Sequence, residues 1–524
     1  MAENRPSRIK KIVLIQPSFG FPQEDAKPAR DQMVFPYGLA HVATALSNAG
    51  YEVEVFDIYA HQWTRREVLA KLQDLHCDVI GITAISPQYA YVKWLAAELK
   101  KRSDAKIVLG GLLSTYSYHV VLAHTAVDIC VLGEGEITAV DLMENLDHPE
   151  MVQGLAFKAD GQITTTQQRP AIEDLDSLPL PAYHLFPMDV YTQGKLYVDD
   201  PSTLVFLNRS LPKTMTVVAG RGCPYRCTFC SRSFSRAKLR SVDRVVEEVK
   251  YLIDTYGVRR IAFGDELLIL NKKRALELAE KMKPLRIKWD GQGRVNTVDY
   301  EALYAMKQAG CVGIGFGIES GSNRILKAMN KGITAEQSEA ALKAALRVGL
   351  HVKVQLVLGF PGETRETVAE TVQLFKKVGH PARRFALLVL LPGSSLYDDA
   401  IRDGLIKDEE HYLLQIKDGY GHEGFFTNLT DLTRDEVIRL KREGEAAMFK
   451  NYQAYLMTHP LLLARYLAWK APYWTIAQWE QASRDPGAYL ARKVRQVARA
   501  VLPKPLRGPA RRVYYRLAPV KRPR

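Results

Sequence analysis

Short runs of apolar residues alternate with longer stretches, whose apolar positions recur every three or four residues, along the first 150 residues. The short runs predict β-strands at residues 11–16, 52–57, 79–83, 106–109 and 129–132. The longer stretches predict amphipathic helices at residues 38–49, 65–75 and 89–101. Strands joined by helices form a parallel sheet covered on both faces. The pattern therefore predicts an α/β fold with a Rossmann-like, doubly wound N-terminal domain, which binds its ligand beyond the carboxyl ends of the strands.

A second series of strands and helices follows. Its predicted strands are residues 215–219, 260–264, 288–291, 313–318, 353–358 and 385–391, and helical patterns such as 242–256, 272–283 and 335–348 separate them. Six units of this kind predict a partial (β/α)6 barrel with its active site at the carboxyl ends of the strands.

These patterns divide the 524 residues into four parts. We expect an α/β domain at 8–150, a linker with a small hairpin rather than a core at 151–213, the barrel at 214–407, and a helical C-terminal region at 408–524. Several domains also agree with the length, because one domain usually has about 100–200 residues.

Charge is concentrated at the C-terminus. The formal net charge is +14, and residues 461–524, here called the basic tail, contain fifteen Lys or Arg against two Asp or Glu. The chain contains only six cysteines, which argues against a secreted disulfide framework. Its N-terminus shows no signal-peptide pattern, so we expect a cytoplasmic protein. The chain contains no run of eighteen uncharged apolar residues, so the sequence predicts no membrane span.

Small and polar residues stand at the carboxyl ends of the first strands. One glycine in such a place indicates a tight turn more often than a ligand, but three sites at successive strand ends favour a bulky ligand. The candidate binding residues are Ser18, Thr83, Ser86, Gly110, Gly111, Gly133, Glu134 and Gly135.

Three cysteines, Cys223, Cys227 and Cys230, fall within eight residues after the first barrel strand. Three thiolates on one loop suit a soft metal centre, whereas a structural zinc needs a fourth ligand, and His184 and Cys311 are the nearest in sequence. The spacing therefore predicts an iron–sulfur cluster with one open iron, and a zinc site completed from elsewhere is the alternative.

This CxxxCxxC pattern, with Phe229 before the last cysteine, resembles the signature of the radical S-adenosylmethionine (radical SAM) superfamily. The resemblance implies a [4Fe–4S] cluster whose open iron binds the amino and carboxylate groups of S-adenosylmethionine. It also implies an external electron donor of the flavodoxin or ferredoxin type. One electron then cleaves the sulfonium, and the released 5′-deoxyadenosyl radical abstracts a substrate hydrogen.

Other strand ends match the same superfamily. The matching residues are Gly264, Asp265 and Glu266 after the second barrel strand, Arg294 after the third, Glu319 and Ser320 after the fourth, and Gly359 after the fifth. The resemblance implies that the first group binds the methionine amino group, although an aspartate replaces its usual second glycine. The fourth-strand pair would contact ribose and carboxylate, and the turn at Gly359 would pack beneath the adenine. As isolated residues Arg294 and Glu319 would more often form an ion pair, but their shared position at the strand ends favours contacts with S-adenosylmethionine, for which Arg294 would be a basic contact.

The first domain resembles the cobalamin-binding domain of B12-dependent radical SAM enzymes. The segments that carry the resemblance are PYGLAHVATALSNAGYEVEVFD, VLGGLLS and DICVLGEGE. It implies cobalamin, with the dimethylbenzimidazole tail buried between Gly110 and Glu136. The segment PSFGFPQEDAKPARD contains no histidine, so we expect cobalamin without a histidine ligand. The alternative cobalamin ligands in this domain are His41, His61, His119 and His124, although a lone histidine is more often an ordinary surface or core residue.

Two reactions suit these cofactors. One is methylation of an unactivated carbon of a small molecule. The other is oxidative cyclisation or rearrangement of a tetrapyrrole or lipid, as in the anaerobic magnesium-protoporphyrin monomethyl ester cyclase that this domain order resembles. A tRNA methylthiotransferase is excluded, because it needs three further cluster cysteines in the first domain, where only Cys77 and Cys130 occur.

The basic tail contains Trp469, Trp474 and Trp479 among its arginines. Basic residues interleaved with amphipathic aromatics suit an anionic membrane, so we expect peripheral contact with the inner face of the membrane. Helices that cap the barrel are the alternative for residues 461–479. Nucleic acid is the weaker explanation, because no binding motif accompanies the charge.

Overall fold

A seven-stranded sheet forms the N-terminal part of the computed structural model, which describes residues 9–18, 34–193, 212–232, 234, 236–379, 384–416, 421 and 423–458. The strand order is β2-β1-β3-β4-β5-β6-β7, with β1 to β5 parallel and the last two antiparallel. The strands are β1 (Lys11–Gln16), β2 (Glu52–Asp57), β3 (Val79–Thr83), β4 (Lys106–Gly110), β5 (Ile129–Val131), β6 (Leu155–Ala159) and β7 (Gln162–Thr165).

Helices cover both faces of this sheet, because its central strands are apolar on both faces. In β1, for example, four consecutive residues from Ile12 to Ile15 are at most 3% exposed. The helices are α1 (Tyr37–Asn48), α2 (Ile58–His61), α3 (Arg65–Leu72), α4 (Tyr89–Lys100), α5 (Leu112–His124), α6 (Gly135–Glu144) and α7 (Met188–Tyr191).

The second sheet has six parallel strands in the order β8-β11-β12-β13-β14-β15, which confirms the partial barrel. A separate antiparallel pair, β9 with β10, flanks the cysteine segment. The strands are β8 (Thr214–Val217), β9 (Gly220–Arg221), β10 (Lys238–Leu239), β11 (Arg260–Phe263), β12 (Lys288–Gly293), β13 (Cys311–Glu319), β14 (His351–Leu358) and β15 (Ala386–Leu387).

Amphipathic helices pack outside the barrel strands. The first of them begins where the Ser241 hydroxyl accepts a hydrogen bond from Arg244 N, and it ends at Gly257, whose φ of +69° favours glycine. The helices are α8 (Val242–Tyr256), α9 (Lys272–Met282), α10 (Tyr300–Gln308), α11 (Asn323–Ala328), α12 (Ala335–Val348), α13 (Arg365–Val378), α14 (Ser395–Arg402), α15 (Glu409–Gln415) and α16 (Arg434–Thr458).

Several strands differ from the prediction by one or two residues at an end, and two larger differences concern the core and the last strand. The predicted hairpin at 151–213 exists, but this segment also enters the core, where Leu155 and Tyr183 are fully buried. The cause is that β6 pairs with β5 and so extends the sheet. The predicted strand at 385–391 shortens to β15, because Leu388 and Leu390 leave the sheet and join a separate apolar cluster.

The C-terminal region contains the helices α15 and α16, and the described residues between them, from 416 to 433, are not helical. The basic tail lies outside the described residues, as does most of the segment that lacks the axial histidine. Among the described helices, none has the length and apolar composition needed to cross a bilayer.

Candidate functional site

The cysteine loop lies between β9 and β10, just beyond the carboxyl end of β8. Hydrogen bonds connect it to the turn after α11 and to the segment between β15 and α14. Thr228 N donates to Met329 O at 3.1 Å, and the Asn330 side chain donates to Arg226 O at 2.8 Å. On the other side, Ser231 Oγ donates to Pro392 O at 2.6 Å. These contacts place the loop at the barrel mouth.

The three thiols of this loop are free and partly buried. Burial raises the pKa of Cys223. Burial, followed by the charges of Glu266 and the other two thiols, raises the pKa of Cys230 to about 12. All three thiols lie on one loop of eight residues, and Glu266 lies near enough to influence Cys230. Among the described side chains no group of three or more His, Cys, Asp or Glu already stands in a metal-binding arrangement, but the donor set fits a thiolate-bound cluster.

Arg294 supplies a buried cation beside the loop. It is 6% exposed, and its guanidinium carbon lies 3.6 Å from the centre of the Tyr225 ring. Its Nη2 atom is buried without a hydrogen-bond partner among the described residues. A buried donor of this kind is costly unless an acceptor meets it. The site therefore fits a ligand carboxylate such as that of S-adenosylmethionine.

Glu319 is held in a strained conformation at the end of β13. Its φ is +62°, and it is 5% exposed. Such left-handed residues other than glycine cluster at functional sites. The structure pairs Glu319 with Lys331, at 2.7 Å from Oε1 to Nζ, rather than with Arg294.

Lys331 was missed by the sequence analysis. It is 8% exposed, and its Nζ lies 5.7 Å from the centre of the Phe229 ring as well as against Glu319. Lys331 is twelve positions after Glu319 in the sequence, and α11 lies between them. No local pattern marks it, because the turn after α11 alone returns it to the site.

Two other predicted residues take part in turns at the barrel mouth. Ser320 Oγ lies 3.4 Å from Thr371 Oγ1 and accepts a hydrogen bond from Ser322 N at 3.1 Å. Gly359 has a φ of +110°, and its N–H donates to Glu363 Oε2 at 2.6 Å. Burial raises the pKa of Glu363 to about 7. The turn at Gly359 thus depends on a buried carboxyl group.

A cavity of about 380 Å³ lies between the two sheets. It runs from the barrel mouth down between α1, α6 and the N-terminal sheet, with apolar residues such as Leu14 and Leu142 along its walls. The predicted residues that line it are Thr83, Gly110, Gly111, Gly133, Glu134 and Gly135 from the first domain, and Gly264, Asp265 and Glu266 from the barrel. The GDE segment therefore faces the space that the glycines of the first domain enclose.

Two of these glycines leave room for a ligand. A Cβ on Gly110 would meet only Ile82 O, at 4.0 Å, and a Cβ on Gly133 would meet nothing within 4 Å. Gly111 serves the turn itself, since its φ is +88° and a Cβ would lie 2.6 Å from Ala84 O. The open space beside Gly110 and Gly133 fits the buried part of a large cofactor.

Asp265 faces this cavity with an unpaired oxygen. It is 4% exposed, and its Oδ2 accepts a hydrogen bond from Ala219 N at 3.1 Å, whereas Oδ1 has no partner in the part of the chain that the structure describes. Burial raises its pKa to about 7. The residue that departs from the superfamily's glycine is thus available to a ligand in the cavity.

Ser18 and Ser86 lie beside the cavity rather than on its wall. Both are buried near Gln88, whose side chain donates to Pro17 O at 3.0 Å and to Ser18 O at 3.4 Å. No described histidine lines the cavity. His41 packs on Tyr37 and His61 on Trp63.

The comparisons with known proteins agree with this geometry. Residues 217–375 match the radical SAM superfamily, and residues 30–143 match the B12 binding domain. An uncharacterized methyltransferase of Pyrococcus horikoshii is 33% identical over 411 residues, which cover 76% of this chain and 85% of that protein. The anaerobic magnesium-protoporphyrin IX monomethyl ester cyclase of Cereibacter sphaeroides is 29% identical over 65% of this chain and 56% of the cyclase.

A solved structure shares the fold. The radical S-adenosylmethionine methyltransferase TsrM of Kitasatospora setae, with cobalamin and a [4Fe-4S] cluster bound, has a TM-score of 0.60 and 20% identity over 75% of each chain.

A partial barrel with a three-cysteine loop, joined to a B12-binding domain, defines a radical SAM enzyme that uses cobalamin. The chain belongs to the cobalamin-dependent radical SAM family. Its cofactors are accordingly a [4Fe–4S] cluster, S-adenosylmethionine and cobalamin.

Proposed function

We propose that this enzyme methylates an unactivated carbon of a small-molecule substrate and receives electrons from a flavodoxin or ferredoxin type of donor. The observation that carries the proposal is the shared cavity, whose wall includes glycines of the first domain and the residues that lead into the cysteine loop. When bound, the cluster and S-adenosylmethionine supply hydrogen-atom abstraction, and cobalamin supplies methyl transfer.

The residues of this chain hold and orient these groups. In the proposal, Cys223, Cys227 and Cys230 ligate the cluster, and residues of the first domain enclose cobalamin within the boundaries 8–150. Arg294 binds the carboxylate of S-adenosylmethionine through its unpaired nitrogen. The apolar walls of the cavity exclude water, which protects reactive species from side reactions. The residues we assign to S-adenosylmethionine besides Arg294 are Phe229, Gly264, Asp265, Glu266, Glu319, Ser320 and Gly359.

Reconstitution under anaerobic conditions with iron, sulfide and cobalamin tests this reaction. The enzyme is then incubated with a reductant, methyl-labelled S-adenosylmethionine and candidate small molecules. We expect both 5′-deoxyadenosine and S-adenosylhomocysteine, with the label in a product. Deoxyadenosine formed with a substrate but without S-adenosylhomocysteine would contradict methyl transfer.

That second outcome is the one expected for oxidative cyclisation or rearrangement of a tetrapyrrole or lipid. The likeness to the cyclase supports this second candidate, although the chain spans only 56% of the cyclase's length. The methyltransferase of Pyrococcus horikoshii matches over 85% of its length, which favours methyl transfer.

Filling the cavity at Gly110 is expected to abolish cobalamin binding. A Cβ at this position would have Ile82 O as its nearest neighbour, at 4.0 Å, so a phenylalanine side chain would extend into the open space of the cavity. Gly110→Ala is the matched control, because it adds only the Cβ and should retain binding. Equilibrium dialysis with hydroxocobalamin measures both, and iron content checks that the cluster site is intact. Stoichiometric cobalamin on Gly110→Phe would place the cofactor elsewhere.

We further propose that the basic tail brings the enzyme to an anionic membrane, where an apolar substrate could be reached. Each Lys or Arg near such a surface contributes about 1 kcal/mol, so part of the tail's excess suffices for salt-sensitive binding. Co-sedimentation with anionic and neutral liposomes is compared for the full chain and a chain ending at His459. We expect only the full chain to prefer anionic liposomes. Equal binding by both chains would refute the proposal.

A further inference from the structure

One arginine joins the two sides of the cavity. Arg221 lies on β9, two residues before Cys223. Its Nη1 contacts Glu134 Oε1 at 2.5 Å, and its Nη2 contacts Glu136 Oε1 at 2.5 Å. The side chain of Arg221 is 15% exposed, and those of both glutamates are 6% exposed. A buried guanidinium is thus shared by two carboxylates of the first domain.

The strand that follows the cysteine loop, β10, is linked to Glu134 through hydrogen bonds of Ile172. Glu134 Oε2 accepts a hydrogen bond from Ile172 N at 2.6 Å, and Ile172 O accepts one from Lys238 Nζ at 2.5 Å. Lys238 on β10 pairs with Arg221 on β9. Both strands that flank the cysteine loop are therefore tied to Glu134, which stands between two glycines of the cavity wall.

A second contact connects the loop itself to the first domain. Tyr116 of α5 donates a hydrogen bond to Arg232 O at 2.5 Å. In addition, a Cβ on Gly393 would lie 2.7 Å from the Tyr116 ring, so this ring packs closely against the barrel mouth. Tyr116 follows Thr115, which lines the cavity, so this contact also connects the cysteine loop to the cavity wall.

The simultaneous contact with Glu134 and Glu136 requires an arginine at position 221. Two parallel N–H groups reach two different carboxylates at once, which the single ammonium of lysine does not reproduce. Removal of the guanidinium would leave two buried carboxylates near each other without a counter-charge. The conformation of residues 133–136 therefore depends on a side chain of the neighbouring domain.

We propose that Arg221 is a positioning residue that couples the cysteine loop to the cobalamin cavity. Ligation of the cluster orders the loop, Arg221 transmits this order to Glu134 and Glu136, and the cavity then binds cobalamin more tightly. By linkage, cobalamin strengthens cluster binding by the same factor. The inference rests on the proposed placement of cobalamin in the cavity.

The test compares the dissociation constant of hydroxocobalamin for cluster-free and cluster-loaded forms of the same chain. For the natural chain we expect tighter binding with the cluster by about 5- to 150-fold, the usual range of coupling between sites. For Arg221→Met we expect the two constants to become equal. Arg402→Met is the matched control, because that arginine is 67% exposed and pairs only with neighbouring aspartates, and it should keep the full ratio.

Glu136→Gln provides a second variant in case Arg221→Met does not fold, since it removes one charge and keeps the side-chain shape. We expect it to reduce the ratio without abolishing it. An unchanged ratio in either variant would overturn the coupling and leave Arg221 as a structural contact. A failure of the proposed cobalamin site gives a different result: the natural chain would not bind cobalamin, or Gly110→Phe would still bind it.

Discussion

Replacing Cys223, Cys227 and Cys230 together by serine is expected to abolish both the iron–sulfur cluster and the cleavage of S-adenosylmethionine. The physical reason is that serine offers a hard, protonated oxygen where iron–sulfur clusters need soft thiolates. No other three cysteines of the chain have a comparable spacing, so no substitute ligand set is available. Iron and acid-labile sulfide per chain, measured after anaerobic reconstitution, give the result directly.

Cys77→Ser is the matched control for this experiment. Cys77 is also a partly buried free thiol, but it lies in the first domain, before β3. This variant should bind four irons and cleave S-adenosylmethionine like the natural chain. If the triple variant kept its iron and its activity, the assignment of the cysteine loop would be wrong.

The second large effect is expected on stability, from Glu248→Ala. Glu248 on α8 is fully buried and is the counter-charge of Arg240, which is 8% exposed. It also accepts hydrogen bonds from the hydroxyls of Tyr37, at 2.9 Å, and Tyr183. Alanine would leave the Arg240 charge buried and unpaired, which costs about 3–5 kcal/mol. Because Tyr37 belongs to α1, the loss should loosen the contact between the two domains.

Urea unfolding followed by circular dichroism measures this effect as a lower midpoint. Glu247→Ala is the matched control, since the neighbouring Glu247 is 58% exposed and forms a surface ion pair of about 0–1 kcal/mol. Glu248→Gln should fall between the two, because it keeps an acceptor oxygen without the charge. Equal midpoints for Glu248→Ala and Glu247→Ala would show that the buried pair does not stabilise the domain contact.

Features that depend on neighbouring residues in sequence could be predicted. The first three strands have the predicted limits, because continuous apolar runs mark β1 and β3 and an alternating pattern marks β2. The spacing of the cysteines fixed their assignment to one loop. The glycines at 110 and 133 could also be assigned to a ligand cavity, because parallel strands bring their carboxyl ends to one edge of a sheet.

The partners of the buried charged groups could not be predicted. An ion pair between Arg294 and Glu319 was the alternative to contacts with S-adenosylmethionine, whereas the structure stacks Arg294 on Tyr225 and pairs Glu319 with Lys331. Charged residues carry no sequence signal for their partners, because any opposite charge satisfies the same electrostatic need. The choice follows from the path of the backbone after α11.

The sequence by itself therefore determined the class of fold, since periodicity is a local property of the chain, and its motifs indicated the cofactors through their resemblance to a family. The assignment of the three cysteines to the cluster stays a prediction of their spacing. Only the tertiary structure decided that Leu155 and Tyr183 lie in the core and that β15 is short. It also decided that Arg221 joins residues 134 and 136 across the cavity, at a sequence separation of more than eighty residues. Contacts between residues so far apart in sequence depend on how the two sheets pack. A buried charge is stable only beside an opposite charge, and the packing decides which one lies near it.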